Sequence, residues 1–259
     1  MALPLWNTCD VGTDESAVTT GNSGGDNGNA FNVVTITGGA VVYEKDKRRW
    51  GEGCIRCDLA ASTVGSSIVG WNSTSIGTVT DSSFSVYAWI SAAPSSNLTW
   101  LQFRGAAVNR CIIRMQASMI PQILNSASTV IYTAPSAVPT GKWFRVDVRN
   151  HWDAATGHVE TQWFWDDTSS RTCDSIGTPS MTFGVYTDNQ NLGGTLDALN
   201  IGPNAGTGQT GAASHWFDEP RMLAAATLPV GPPTELWQAN GTWQPMRSAA
   251  IVTGAWEAA

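Results

Sequence analysis

The chain has 259 residues, 14% of them charged, with 26 Gly and a formal net charge of −7. That length suits one large β domain or two smaller ones, and low charge with abundant Gly, Ser and Thr describes an extracellular or virion-like surface rather than a cytosolic one. The acidic balance argues against a nucleic-acid partner, no stretch approaches the roughly 20 apolar residues of a membrane span, and Met1-Ala-Leu-Pro-Leu-Trp-Asn7 lacks the basic and apolar regions of a signal peptide.

Short β-rich runs separated by Gly, Ser, Asn, Asp and Pro turns fill most of the chain, and a helical 3.6-residue pattern hardly ever persists. The first predicted strands are 31–36, 40–44, 54–59, 67–71, 84–90, 99–103, 111–116 and 129–132. The Lys45-Asp-Lys-Arg-Arg49 run between two of them reads as a solvated turn. Cys54-Ile-Arg-Cys57 has no second CxxC and leads into a strand, so reduced, half-buried cysteines are expected rather than a redox or zinc site. The five cysteines are an odd number.

The clearest element is a hairpin, 143–150 with 158–166, in which Phe144, Val146 and Val148 alternate with Arg145, Asp147 and Arg149. The loop before Gly157 suits the reversal, and the alternation predicts one wet face. Strands at 181–186, 196–201 and 214–222 follow. In the last of these Trp216, Asp218 and Pro220 should share one face, with Phe217, Glu219 and Arg221 on the other. Pro220 places that strand at a sheet edge. About a dozen such strands predict one all-β, antiparallel jelly-roll sandwich over residues 1–232. Beyond Val230-Gly-Pro-Pro233, residues 233–259 carry two xGxW units, Asn240-Gly-Thr-Trp243 and Thr253-Gly-Ala-Trp256, and read as a short hairpin-like docking tail.

The block from Leu5 to Phe31, with its Asn22-Ser-Gly-Gly loop, resembles the opening of concanavalin A-like (laminin G-like) domains of actinobacterial proteins and their phages. Three further matches follow in order: Gly141-Lys-Trp-Phe-Arg-Val146, Leu196-Asp-Ala-Leu-Asn-Ile-Gly202 and Trp216-Phe-Asp-Glu-Pro-Arg221. Departures are Cys9, where an aromatic is usual, and Asp10, where Glu is usual. The Trp-containing tail is similar to C-terminal repeats of actinobacteriophage minor tail proteins. The resemblance implies a concanavalin A-like fold and a virion structural protein, on a tail, fibre or other surface, associated with other virion proteins as a homo-oligomer. It also implies a structural calcium joining the N-terminal turn to the closing strand, with Asp10, Asn22 and Asp218 as ligands. Calcium takes six to eight oxygens, which a loop rich in Asp, Asn and Gly can supply. The alternative is that Asp10 caps a turn and Asp218 pairs with an arginine.

Enzyme chemistry finds little support. No E-x-D-x-x-E triplet places paired carboxylates on one strand face, and Asp166-Asp167 and Asp218-Glu219 are adjacent residues of opposite orientation. His151, His158 and His215 lack zinc spacing and are expected at the surface or paired. Binding of host cell-wall glycans is better served. Trp152, Trp163, Trp165 and Tyr186, beside Asp188 and Asn189, combine aromatic faces with polar groups as sugar sites do. The competing reading for Trp163 and Trp165, which share a strand face, is core packing. Rival functions are a capsid decoration protein without a glycan ligand, and a glycan hydrolase or lyase.

Overall fold

The structure is a computed structural model describing residues 4–61, 64–166, 172–174, 177–206, 209–224, 228 and 230–231, and the backbone of 235–239 and 242–246. In chain order the strands are β1 (Leu5–Trp6), β2 (Val33–Thr37), β3 (Gly39–Glu44), β4 (Cys54–Leu59), β5 (Gly65–Trp71) and β6 (Asp81–Ile90). There follow β7 (Leu98–Gly105), β8 (Val108–Met115), β9 (Pro121–Leu124), β10 (Val130–Thr133), β11 (Trp143–His151) and β12 (Gly157–Trp165). The last are β13 (Met181–Gln190), β14 (Ala198–Ala205), β15 (Ala213–Leu223), β16 (Glu235–Ala239) and β17 (Thr242–Met246). A one-turn helix, α1 (Ser73–Ile76), is capped by Asn72, whose side chain accepts from the Thr74 amide.

Two antiparallel sheets form an open sandwich. One runs β13-β12-β11-β6-β15-β4-β3, with β1 paired to the end of β15; the other runs β10-β9-β8-β7-β14-β5-β2. All thirteen strands expected from the sequence are present. Two shorter strands escaped the alternation rule: β1 has two residues and β9 four, too few for a two-residue period to register. In the tail β16 and β17 pair as a hairpin around residues 240–241; Trp256 and the second xGxW unit lie outside the described residues.

Between the sheets, alternate residues of each strand meet in one core. Trp100 and Trp163 stack at 6.0 Å, Phe144 lies 5.7 Å from each of them, and Phe217 lies 5.2 Å from Trp100. Each such side chain contributes on the order of 1.5–3 kcal/mol by leaving water. All five cysteines are buried and unbridged, and burial pushes every one of their thiols up.

Three local expectations need correction. First, the hairpin of β11 and β12 forms with the expected partners, Val146 against Trp163 and His151 against His158, but its second face is not wet along its length. Arg145 and Asp147 are fully buried, 3.0 Å apart. A second apolar cluster of Trp50, Cys54, Tyr87, Trp143, Phe164, Cys173 and Trp216 covers that face. The Asp147 carboxylate also accepts from Ser85 and from the Val230 and Gly231 amides, so a buried charge is paired and fully hydrogen-bonded. Second, the Lys45–Arg49 run is a clamp rather than a free turn. The Lys47 ammonium sits 4.4 Å from the Trp89 ring and 4.3 Å from the Trp216 ring, and Arg49 pairs with Asp166 and Asp174. Third, β15 lies between β6 and β4, not at an edge. Its register shifts between Asp218 and Arg221, with Glu219 at φ +49°, so Pro220 sits at a bulge, the other position a sheet allows it. The bulge also breaks the two-residue period: Asp218 and Arg221 both pair across to outward-facing residues of β6, Tyr87 and Ser85.

Candidate functional site

At one end of the eight-stranded sheet, β11, β12 and β13 leave their outward face open. Alternation with Val148, Val159 and Phe183, which point into the core, turns Arg149, His151, His158, Glu160 and Tyr186 outward. Register then brings them into contact. Arg149 opposes Glu160 across the strands and bonds it at 2.7 Å; His151 opposes His158, their rings 5.6 Å apart. Tyr186 completes the cluster, its ring 5.5 Å from His158 and 4.0 Å beneath the Arg149 guanidinium.

Acidic and amide groups border these rings. Asp81 lies 3.0 Å from His151 Nδ1, and Tyr132 of β10 donates to the Asp188 carboxylate at 2.8 Å. The Asp188 carbonyl is 3.2 Å from His158 Nδ1, and Gln190 donates to the Tyr132 hydroxyl. Burial, followed by the Asp188 hydrogen bond, pushes the Tyr132 phenol up to about 12. Burial, with Asp81 next, also raises that of Tyr186 despite Arg149 nearby. Both hydroxyls are therefore neutral at physiological pH, that of Tyr132 with its proton donated to Asp188. Together with two imidazoles, Asp188 and exposed Asn189, they form a hydroxyl-matching surface with ring edges in it.

Of the residues expected to hold a sugar, Tyr186, Asp188 and Asn189 lie here, and two others are corrected. Trp163 is 0% exposed and stacks inside the sandwich, its indole N–H satisfied by Thr161. Trp152 is 1% exposed, packs 5.5 Å from Phe103 and donates to Ser82. Neither can offer a face to a ligand. Trp165 is half-buried against the core. His151 and His158 are at the surface and paired, as the sequence led one to expect, but neither they nor Arg149 were assigned to this cluster; with the hairpin register fixed, each is on the strand face opposite the core.

The proposed metal ligands divide. Asp218 is fully buried; its Oδ2 accepts the Arg49 and Trp50 amides, while its Oδ1 has no partner. Asp10 accepts the Glu52 and Gly53 amides through Oδ1. A Cβ at Gly51 would fall on the Asp10 carboxylate, and one at Gly53 would meet the Cys9, Glu44 and Asp10 carbonyl oxygens. Burial pushes Asp218 well above the usual carboxylate range, and the nearby Asp10 charge pushes it further; burial raises Asp10 too. A buried carboxylate oxygen that lacks a partner among the described residues, within reach of a second carboxylate's charge, fits a divalent cation. Asn22 does not belong to this set: its amide closes its own loop through Thr19 and Ala17. A second group, Asp14, Glu15 and Glu44, brings carboxylate oxygens within 4.8 Å of one another. That spacing can also take a cation, although Arg56 already bonds Glu15 and Glu44 at 2.7 Å.

No family model matches the chain. One relative is a phage protein. The "Gene 31 protein" of Mycobacterium phage D29 is 31% identical over 108 residues, 38% of this chain and 17% of its own length. Among solved structures, the chain is similar to a botulinum neurotoxin type C molecule known for interaction with two gangliosides (TM-score 0.45, 12% identity, 76% of this chain, 48% of that one). It is similar also to the alginate lyase of a Corynebacterium species (TM-score 0.40, 9% identity, 65% of this chain, 76% of that one). Among the described residues no helix is long and apolar enough to cross a membrane.

Proposed function

We propose that this chain is a surface protein of an actinobacteriophage virion, of the minor-tail or fibre kind, that adheres to host-wall glycans without transforming them. The observation that carries the reading is the Tyr186 cluster: two imidazoles, a phenol and a guanidinium packed at an open sheet end, bordered by Asp188 and Asn189. Such a surface exchanges hydrogen bonds with water for hydrogen bonds with hydroxyls, so single contacts are weak. Display of many copies on a particle makes them sufficient, because each further contact is intramolecular. The phage relative supports the virion setting.

Calcium is the proposed ion between Asp10 and Asp218. Its role would be structural, tying the N-terminal turn and the 49–53 loop to β15 at the opposite end of that face from the sugar cluster. The glycan reading is tested by a glycan array with the full chain, alongside Tyr186→Ala and His158→Ala. Loss of about tenfold in apparent affinity in both, with melting midpoints within a few degrees of the parent, is expected. Retained binding in both variants would refute it.

A further inference from the structure

The two sheets divide the charge of the chain unequally. The strands of the eight-stranded sheet hold eight acids and four arginines. Those of the seven-stranded sheet hold no Asp, Glu, Lys or His at all, and three arginines: Arg104, Arg110 and Arg114. In a chain of net charge −7 this is the reverse of the average surface.

All three arginines point away from the core. They alternate with Phe103, Cys111, Ile113 and Met115, which line it. Among the described residues, none of the three makes an ion pair. Neutral groups orient two of them instead. Arg114 bonds the Gln122 side-chain oxygen through Nε and Nη2, and Arg104 bonds the Ala107 carbonyl. The Nε atoms of Arg104 and Arg110 are buried with no partner among the described residues. The carboxylate of Asp197, which precedes β14 and whose amide donates to the Arg104 carbonyl, is turned to the Ala106 amide. A guanidinium held by an amide or carbonyl is fixed in direction and keeps its full charge available.

Between and beside the arginines the floor is amide-rich. Gln102 and Asn200 bond each other across β7 and β14 at 3.2 Å; with Gln122 they are each less than a tenth exposed although they face outward. An open depression of about 510 Å³, lined by Asn97, Thr99, Arg114 and Asn204 among others, continues the surface at one end. Arg110 and Arg114 stand four residues apart on β8, roughly 13 Å at the strand rise. One small anion cannot bridge that span; a polymer with acid groups on successive units can. Planar forks match planar carboxylates, and the uncharged amide floor between them brings no competing acid.

From this juxtaposition we propose that the outward face of the seven-stranded sheet binds a uronate-bearing polysaccharide, at a site on the other side of the sandwich from Tyr186. Arg110 and Arg114 hold carboxylates of separate, non-adjacent units along one polymer chain, with Arg104 flanking.

The test is binding of the full chain to polygalacturonate and to its methyl ester, at low (about 20 mM) and high (about 200 mM) salt. The acid polymer should bind, the ester should bind at least tenfold more weakly, and salt should weaken the acid polymer alone. Arg110→Gln with Arg114→Gln should lose about tenfold or more, while Tyr186→Ala should leave polygalacturonate binding intact. Equal binding of acid and ester, or no binding of the acid polymer at low salt, overturns the proposal without any variant. So does a folded double variant that binds as the parent does. Loss in Tyr186→Ala alone would assign the polymer to the other face and likewise overturn it.

Discussion

Replacing Trp163 by Ala distinguishes a core aromatic from a ligand platform. The ring is 0% exposed and stacks with Trp100, Phe144 and Phe183 at 6.0, 5.7 and 6.1 Å. Truncation leaves a cavity between two sheets, whose strands are tied by hydrogen bonds and cannot collapse into it. The expected cost is about 3–5 kcal/mol, as for other buried Trp and Phe truncations. A sandwich of this size shifts its midpoint by about 2–4 °C per kcal/mol, so melting should fall by roughly 6–20 °C. Calorimetry or near-ultraviolet dichroism reads the midpoint, and glycan binding is measured well below it. The variant should bind as the parent does while it remains folded. A midpoint lowered by less than about 2 °C together with lost binding would refute the reasoning, because only an exposed ring behaves so.

The remaining predictions concern charge. His215 is buried with no hydrogen-bond partner among the described residues on either ring nitrogen, and burial lowers its pKa from 6.5 to about 4. The neutral form is the folded one, so stability is complete above the unfolded value and falls with pH, by about 2 kcal/mol near pH 5 and about 3 kcal/mol below pH 4. Chemical denaturation across this range should show the loss, and His215→Gln should flatten it; an equal slope in both would remove His215 as the cause. Asp218 has the opposite sign: its raised pKa means that ionisation opposes folding, so without a cation stability falls as pH rises. Calcium at about a hundred times its dissociation constant should restore roughly 2.7 kcal/mol. Its effect on the melting midpoint should be larger at alkaline pH and absent in Asp218→Asn; a calcium-indifferent parent would remove the proposed ion. Arg145→Met strands the buried Asp147 charge and should cost about 3–5 kcal/mol by urea unfolding, whereas a cost near zero would mean that Ser85 and the Val230 and Gly231 amides alone satisfy Asp147.

The sequence by itself determined the strands, the β11–β12 hairpin and the sandwich class, because those depend on a two-residue period and on turn residues that are neighbours in the chain. It also marked Tyr186 and Asp188, since both lie on one strand. Whether a given strand face meets solvent was decided only by the tertiary structure. Arg145 and Trp216 occupy outward positions as Arg149 does. The first two are roofed by Trp50, Lys47 and Cys173, which come from loops far from either in sequence, whereas Arg149, among the described residues, has only Glu160 and Tyr186 of its own sheet against its guanidinium. Trp163 and Tyr186 likewise look alike as aromatic residues in strands, and differ because one faces the opposing sheet and the other does not. The acid-free face of the second sheet arises partly in the same way: Arg104, Arg110 and Arg114 come from the single β7–β8 hairpin, but only pairing of β7 with β14, and through it with β5 and β2, sets that hairpin in a sheet whose strands carry no acid.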